Sequence, residues 1–440
     1  MSNQFSTAFA PLAPSYVEPQ VSRQSKPLSD PAFLRHKVDH YYNVRLQEQC
    51  GGKHPMKGRV PRPGSIRLRS NDYLCISRHP HLIQTEIDCL RTVGHGDSIS
   101  RSFLHHYRDV SSMFEQRLAN LMEAEAAVLV NSGYGANVGV IQSIARDDVP
   151  VYIDMKAHIS LWEGVRSGGG KAIPIRHNDV GHLRRMVSTH GPGVVVVDAV
   201  YSLDGDICPL AELIDVSEEF DCVLVVDETH SFGAMGPSGA GFCVQENLAH
   251  RVHFRTIGLS KAVACRGGAI LCSERNAEFL RYESIQAIFS TSVLPYEVAG
   301  YNAALDIFER EPWRQQALKK NHRHLLSKLD ALGYNVSTSK AQIIALEVGD
   351  IQETTRLRDA LESQGVFGSI FMPPATPEKR CLMRFTVNCE LTDAEISHVV
   401  DVCKNIKEEL RVDQWSSTRR KSRGLAGSNA SHIHSSSAAA

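Results

Sequence analysis

The chain has 440 residues, 42% hydrophobic and 22% charged, the balance of a globular protein with room for one large and one smaller unit. A formal net charge of −1 excludes bulk attraction to nucleic acid or to an anionic membrane. The eleven cysteines make no C-x-x-C pair and no Cys/His ladder at zinc spacing, so no metal site and no disulfide framework is expected, and a reducing cytoplasm is.

Residues 1–30 are rich in Ser, Pro and Gln and are expected to form a disordered arm. Their prolines interrupt the apolar stretch a signal peptide needs, and no later run approaches the roughly 18 apolar residues of a membrane helix. After an N-terminal segment (31–70), a large domain is expected over 71–294. Its strands are AAVLVN (126–131), VPVYID (149–154), AIPIR (172–176), GVVVVDAV (193–200), CVLVVDE (222–228), FRTIGL (254–259) and GGAILCS (267–273). Near-continuous apolarity marks strands covered on both faces. Between them, stretches such as DVGHLRRMVSTHG (179–191) and PLAELIDVSEEFD (209–221) carry apolar residues at helical spacing. Strand and helix in alternation predict an α/β fold with a doubly wound, mostly parallel sheet, whose ligands bind beyond the carboxyl ends of the strands. A smaller α/β domain is expected over 295–410. From 411 the chain is polar and ends in SNASHIHSSSAAA; the basic cluster Arg419, Arg420, Lys421 and Arg423 reads as part of a solvated, disordered tail.

The stretch CVLVVDETHSFG (222–233) runs an apolar strand into Asp227, where a buried charge needs a partner. Two partners fit. Mg²⁺-nucleotide chemistry requires a G-x-x-x-x-G-K-[ST] loop, and neither Gly170-Lys171-Ala172 nor Gly52-Lys53-His54 completes one. The alternative is a protonated pyridinium nitrogen, as in pyridoxal 5'-phosphate, which a buried carboxylate keeps charged. That chemistry predicts a lysine, an anion cradle and something flat against the ring. Lys261, in the turn after FRTIGL, suits a nucleophilic amine. The run from Asn131 through Ser132, Gly133 and Tyr134 to Asn137 follows a strand and opens a helix, where backbone N–H groups and the helix dipole favour a phosphate. His158, in YIDMKAHISLWEG, could lie on the ring, although a histidine opening a helix is more often a cap.

Taken together, SGYGANVGVIQ, DMKAHISLWEG, DAVYSLDGDICPLAEL, VVDETHSFGAMGPSGAG, TIGLSK and FSTSVLP stand in the order of the motifs of the α-oxoamine synthases. The chain resembles that pyridoxal-phosphate group from SNDYL (70–74) to about Leu410. AHISLWEG, GLSKAVACRGGAI, IFSTSVLPYE and ESQGVFGSIFMPPAT are more similar to its α-hydroxyketone quorum-sensing autoinducer synthases. The resemblance implies the fold-type I, aspartate aminotransferase-like architecture with a seven-stranded sheet. It makes Lys261 the lysine bonded to the cofactor and the base for the α-proton, with Asp227 at the ring nitrogen. His230 and Ser202 would lie near the phenolic oxygen, and His158 on the ring face. Ser132, Gly133 and Tyr134 would hold the phosphate, with Thr291 and Ser292 reaching the phosphate of the other subunit of a homodimer. Asn71 and Arg384 would grip the substrate carboxylate, against the competing reading of Arg384 as a structural ion pair.

The implied reaction joins a medium- or long-chain acyl-coenzyme A to S-adenosylmethionine or 2-aminobutyrate. Another α-oxoamine synthase activity, or an aminotransferase on the same fold, is the alternative. Three departures from the family pattern stand out. Met372 replaces an arginine before Pro373-Pro374. SISRSFLHHYRD (98–109) replaces a glycine- and valine-rich loop, so Phe103, Leu104 and two histidines would reshape the substrate pocket. Ala264 stands where a glycine often follows the lysine.

Overall fold

A computed structural model describes residues 28–97, 99–104 and 109–420. The expected arm up to residue 27, Ser98, the two histidines of the 98–109 loop, and Lys421 and Arg423 lie outside the described residues. The chain divides into two compact units, 1–54 and 55–440. In the first, a helix over Ala32–His40 continues as a π-helical stretch over Tyr41–Glu48, and neither has a buried residue.

In the second unit, β1 (Ile66–Arg67) precedes the seven strands expected from the sequence. These are β2 (Ala126–Val130), β3 (Pro150–Asp154), β4 (Lys171–Ile175), β5 (Val194–Asp198), β6 (Val223–Asp227), β7 (Phe254–Gly258) and β8 (Gly268–Cys272). They form one sheet in the order β2-β8-β7-β6-β5-β3-β4. β8 runs antiparallel to both its neighbours, and the other pairs are parallel. The unbroken apolarity of these strands conceals a period of two. Val194, Val196 and Val225 pack into one cluster with Ile141 and Leu161, whereas Val195, Val197, Leu224 and Val226 pack into another with Leu213 and Phe242. Both faces are buried, so both need apolar side chains.

After β2, Ser132 caps a helix over Gly133–Ile144; after β3, His158 caps one over Ile159–Ser167. The first of these helices approaches β7 so closely that a Cβ on Gly133 would lie 2.7 Å from the Gly258 Cα. Asp198 and Asp227 end β5 and β6 side by side in the sheet register, with Asp154 ending β3 next to them.

Beyond the sheet, helices over Pro295–Arg310 and Trp313–Ala331 lead to β9 (Ile343–Gly349), β10 (Val366–Phe367), β11 (Ser369–Phe371) and β12 (Cys381–Thr386). β11, β12 and β9 make an antiparallel sheet, and β10 pairs with β1, so residues 66–67 are built into this region. One apolar cluster joins Ile257 and Leu271 of the large sheet to Tyr301, Phe385 and Val402; packing is therefore continuous across the expected boundary at 294/295. Met372 is buried in that cluster.

The tail expected from 411 is folded as far as Arg420. Val412 and Trp415 are buried, the Trp415 indole donates to the Leu410 carbonyl at 3.0 Å, and its ring lies 5.6 Å from that of Tyr334. Ser417 Oγ donates to the Glu347 carbonyl of β9 at 2.5 Å. A single large indole anchors this segment despite its polar composition. All eleven cysteines are free thiols.

Candidate active site

At the end of β6, Asp227 is 5% exposed. One carboxylate oxygen accepts from Asn137 Nδ2 at 2.7 Å, the other from the Thr229 N–H at 2.8 Å. Asn137 is buried on the helix after β2; its amide also donates to Ser160 Oγ, and its oxygen accepts from Thr256 Oγ1. The carboxylate is thus held from the helix after β2 and from the turn after β6, with Asn137 itself fixed by Ser160 and Thr256. Asp198 beside it accepts from the His158 N–H at 3.1 Å. Burial, then the neighbouring Asp227 charge, push the Asp198 carboxyl well above the usual range.

Lys261 follows β7 in a tight turn, where the Ala264 N–H donates to the Lys261 carbonyl and Ala264 has φ of 59°. Burial and the Arg384 charge lower the Lys261 pKa, and Asp227 opposes them. His158 caps its helix, with Nδ1 2.6 Å from Ser160 Oγ. Burial lowers its pKa too, against the pull of Asp227. In the cradle, Ser132 Oγ accepts from the Gly135 N–H at 2.9 Å, and the N–H groups of Gly133 and Tyr134 have no acceptor among the described residues.

A third group comes from far along the chain. In SNDYL, the Asp72 carboxylate accepts from the N–H groups of Ile76 and Ser77, closing a turn that presents Asn71 and Tyr73. Arg384, on β12 and 6% exposed, donates to Asn71 Oδ1 at 3.1 Å and to the Ser202 carbonyl at 2.6 Å. Its guanidinium lies 4.7 Å from the Phe371 ring centroid. Its Nε is buried without a partner, and no carboxylate pairs with it among the described residues. Burial lowers its pKa. The competing reading, a structural ion pair, lacks its acid. His230, buried after β6, contacts the Tyr73 hydroxyl through Nδ1 at 2.5 Å. Burial, then Lys261 and Arg384, hold its pKa well below the usual value.

Thus Lys261, Asp227, His230 and His158 come together with Ser132, Gly133, Asn71, Ser202 and Arg384 around the carboxyl edge of the sheet. Ser202 takes part through its carbonyl. Tyr134 is half exposed. Thr291 and Ser292 are near the cradle of their own chain: Asn131 Nδ2 donates to the Thr291 carbonyl at 2.7 Å, and the Ser292 N–H to that of Ile99. Phe103 is 67% exposed, on a turn tied to the 281–287 segment through Ser102 and Ser100, and no described contact carries it to the cluster. Sequence reasoning missed Asn137 as a support for Asp227, and Tyr73. Asn137 had one signal, a polar residue inside the apolar run GANVGV.

A buried acid, an amine with a lowered pKa, an open cradle of N–H groups and an unpaired guanidinium fit a phosphorylated, carbonyl-bearing heterocycle together with a carboxylate substrate. The family model for aminotransferase class I and II matches residues 63–402. The chain belongs to that family. Among curated relatives, it is 38% identical over 382 residues to the CAI-1 autoinducer synthase of Vibrio campbellii, covering 87% of this chain and 96% of that protein. It is 30% identical over 379 residues to a putative 8-amino-7-oxononanoate synthase of Bacillus cereus, covering 85% and 95%. Among solved structures, serine palmitoyltransferase from S. paucimobilis with a bound PLP-myriocin aldimine superposes with a TM-score of 0.77 at 25% identity, covering 88% of this chain and all of that one. These findings bear out the resemblance to the α-oxoamine synthases and the fold-type I architecture. The chain is a pyridoxal-phosphate-dependent enzyme of the acyltransferase type.

Proposed function

We propose that this enzyme joins the acyl group of a medium- or long-chain acyl-coenzyme A to the α-carbon of S-adenosylmethionine or 2-aminobutyrate. The product is an aminoketone or enaminone precursor of an α-hydroxyketone signal. The observation that carries this reading is the buried Arg384 guanidinium beside Asn71, paired with no carboxylate among the described residues and close enough, from β12, to influence Lys261 at the large sheet's carboxyl edge. The likeness to the CAI-1 autoinducer synthase supports the signal as the end use.

When bound, pyridoxal 5'-phosphate supplies the electron sink that stabilises a carbanion at the substrate's α-carbon. Asp227 would hold a proton at the ring nitrogen, and Asn137 and Thr229 keep that carboxylate aimed. Lys261 would hold the cofactor's carbonyl carbon and, as a free amine, would take the substrate's α-proton; its lowered pKa makes the free amine accessible. His158 would cover a ring face, and Ser132, Gly133 and Tyr134 would cradle the phosphate at a helix N-terminus. His230 and Ser202 would lie near the ring oxygen. Asn71 and Arg384 would fix the substrate carboxylate, and with it the α-carbon. A carbon–carbon bond would then form to the acyl carbonyl as the carbon–sulfur bond breaks, and coenzyme A would leave as its thiol with the proton Lys261 had taken; loss of the carboxylate as carbon dioxide would give the aminoketone, and further elimination of the sulfonium group of S-adenosylmethionine the enaminone. Phe103 would shape the acyl or amino-donor pocket.

The enzyme would act as a homodimer in the cytoplasm, with Thr291 and Ser292 serving the partner's phosphate. Exposed Phe103, Tyr282, Ile285 and Phe289 support a second copy on that side. No helix among the described residues is long and apolar enough to cross a membrane. The test is to incubate cofactor-loaded enzyme with acyl-coenzyme A and each amino donor, assay free thiol and identify the product by mass spectrometry. One thiol per condensed product is expected. Amino transfer to an oxo acid without thiol release would make the protein an aminotransferase.

A further inference from the structure

Tyr73 is fully buried, and its hydroxyl is 2.5 Å from His230 Nδ1. The two residues are 157 positions apart, joined because the SNDYL turn folds over the loop after β6. The Gln342 amide donates to the His230 carbonyl at 2.6 Å and so helps fix the loop that carries the imidazole. His230 Nε2 has no protein partner among the described residues and is not among the sealed polar atoms. One ring nitrogen is engaged, the other open.

We propose that Tyr73 is a positioning residue: its phenol donates to His230 Nδ1, which holds the imidazole proton on Nε2 as a donor toward the cofactor's ring oxygen. The inference rests on the reading above that His230 faces that oxygen. A neutral imidazole carries one N–H, so the hydrogen bond at Nδ1 fixes the proton at Nε2. In the opposite tautomer, Nδ1–H would donate to the phenol oxygen, and the phenol proton would have no acceptor among the described residues in a fully buried site, which is costly. Electrostatics agree. Burial pushes the Tyr73 phenol up to about 12, so it keeps its proton. Burial, Lys261, Arg384 and His158 keep His230 neutral. The same turn supplies Asn71 to Arg384, so five residues organise both the carboxylate grip and the ring-oxygen donor.

The test uses cofactor-loaded enzyme labelled with ¹⁵N-histidine. His230 is expected as the Nε2–H tautomer, and in Tyr73→Phe the Nδ1–H form appears. A donor on the ring oxygen stabilises the deprotonated chromophore. Its loss in Tyr73→Phe should therefore raise the midpoint of the visible absorbance titration by about one pH unit. His230→Leu, which has no donor, should produce a similar rise, and the double variant no further one. A shift in His230→Leu but none in Tyr73→Phe overturns the proposal and leaves His230 at the cofactor. No shift in either overturns both. If Tyr73→Phe does not fold, the wild-type spectrum decides: an Nδ1–H signal for His230 refutes the assignment.

Discussion

Replacing Arg384 with methionine separates a substrate-binding guanidinium from a structural one. The side chain is 6% exposed and donates to Ser202 and Asn71 at 2.6 and 3.1 Å. Each of these bonds from a charged donor contributes about 1.5–3 kcal/mol. Against them stands the cost of burying a cation without an acid, several kcal/mol in order of magnitude. The two nearly cancel, so Arg384→Met should change the unfolding free energy by no more than about 2 kcal/mol in either direction. The substrate carboxylate would lose a charge-assisted fork of about 3 kcal/mol, roughly 100-fold in kcat/KM for the amino donor. Thiol release measures the second quantity, and urea unfolding followed by circular dichroism the first. A variant destabilised by more than about 4 kcal/mol whose folded fraction turns over at the wild-type kcat/KM would refute the reasoning.

Gly133→Ala would set a Cβ 2.7 Å from the Gly258 Cα, so the helix must move off β7; cofactor affinity should fall about tenfold with about 2 kcal/mol of stability, and an unchanged spectrophotometric titration would contradict this. Ala264→Gly relieves a left-handed backbone at φ of 59° and should raise the unfolding free energy by about 1 kcal/mol; a lower value would tell against strain there. His177 bridges Asp154 at 3.0 Å and Asp206 at 3.1 Å. Burial lowers its pKa, but the two carboxylates lift it net above the usual value. Burial opposes and His177 drives the depression of both aspartates. The histidine's contribution to stability is complete below its unfolded pKa, about 6.5, and lost as pH rises through the folded value; the aspartates' is complete above about 3.9 and lost as pH falls through theirs. The gap in unfolding free energy between wild type and His177→Gln should therefore be widest near pH 5–6 and shrink toward pH 9, and a pH-independent gap would exclude this clamp.

The large sheet was legible because each strand is an apolar run ended by a turn or a carboxylate, and because Asp227 and Asp198 break that apolarity at the strand ends. Arg384 was legible only through the resemblance, which matched it to a position that holds the substrate carboxylate. The sequence hides what depends on distant partners. Tyr73 looks like any core aromatic until His230 is placed beside it. Asn137 sits inside the cradle stretch, but its bond to Asp227 spans 90 residues. The folding of 411–420 was obscured because one indole outweighs the polar residues around it, and composition averages over both. Phe103 entered through the departure of SISRSFLHHYRD from the family's loop; it is exposed, and no contact among the described residues ties it to the cluster.

The claim on which the rest depends is that Lys261 is the amine carrying the cofactor above Asp227. Borohydride reduction of the loaded enzyme, followed by proteolysis and mass mapping, fixes the attachment point. The phosphopyridoxyl group is expected on the peptide containing Lys261 and absent from Lys261→Ala. Its recovery on any other lysine, or an unlabelled wild-type peptide, would contradict the account.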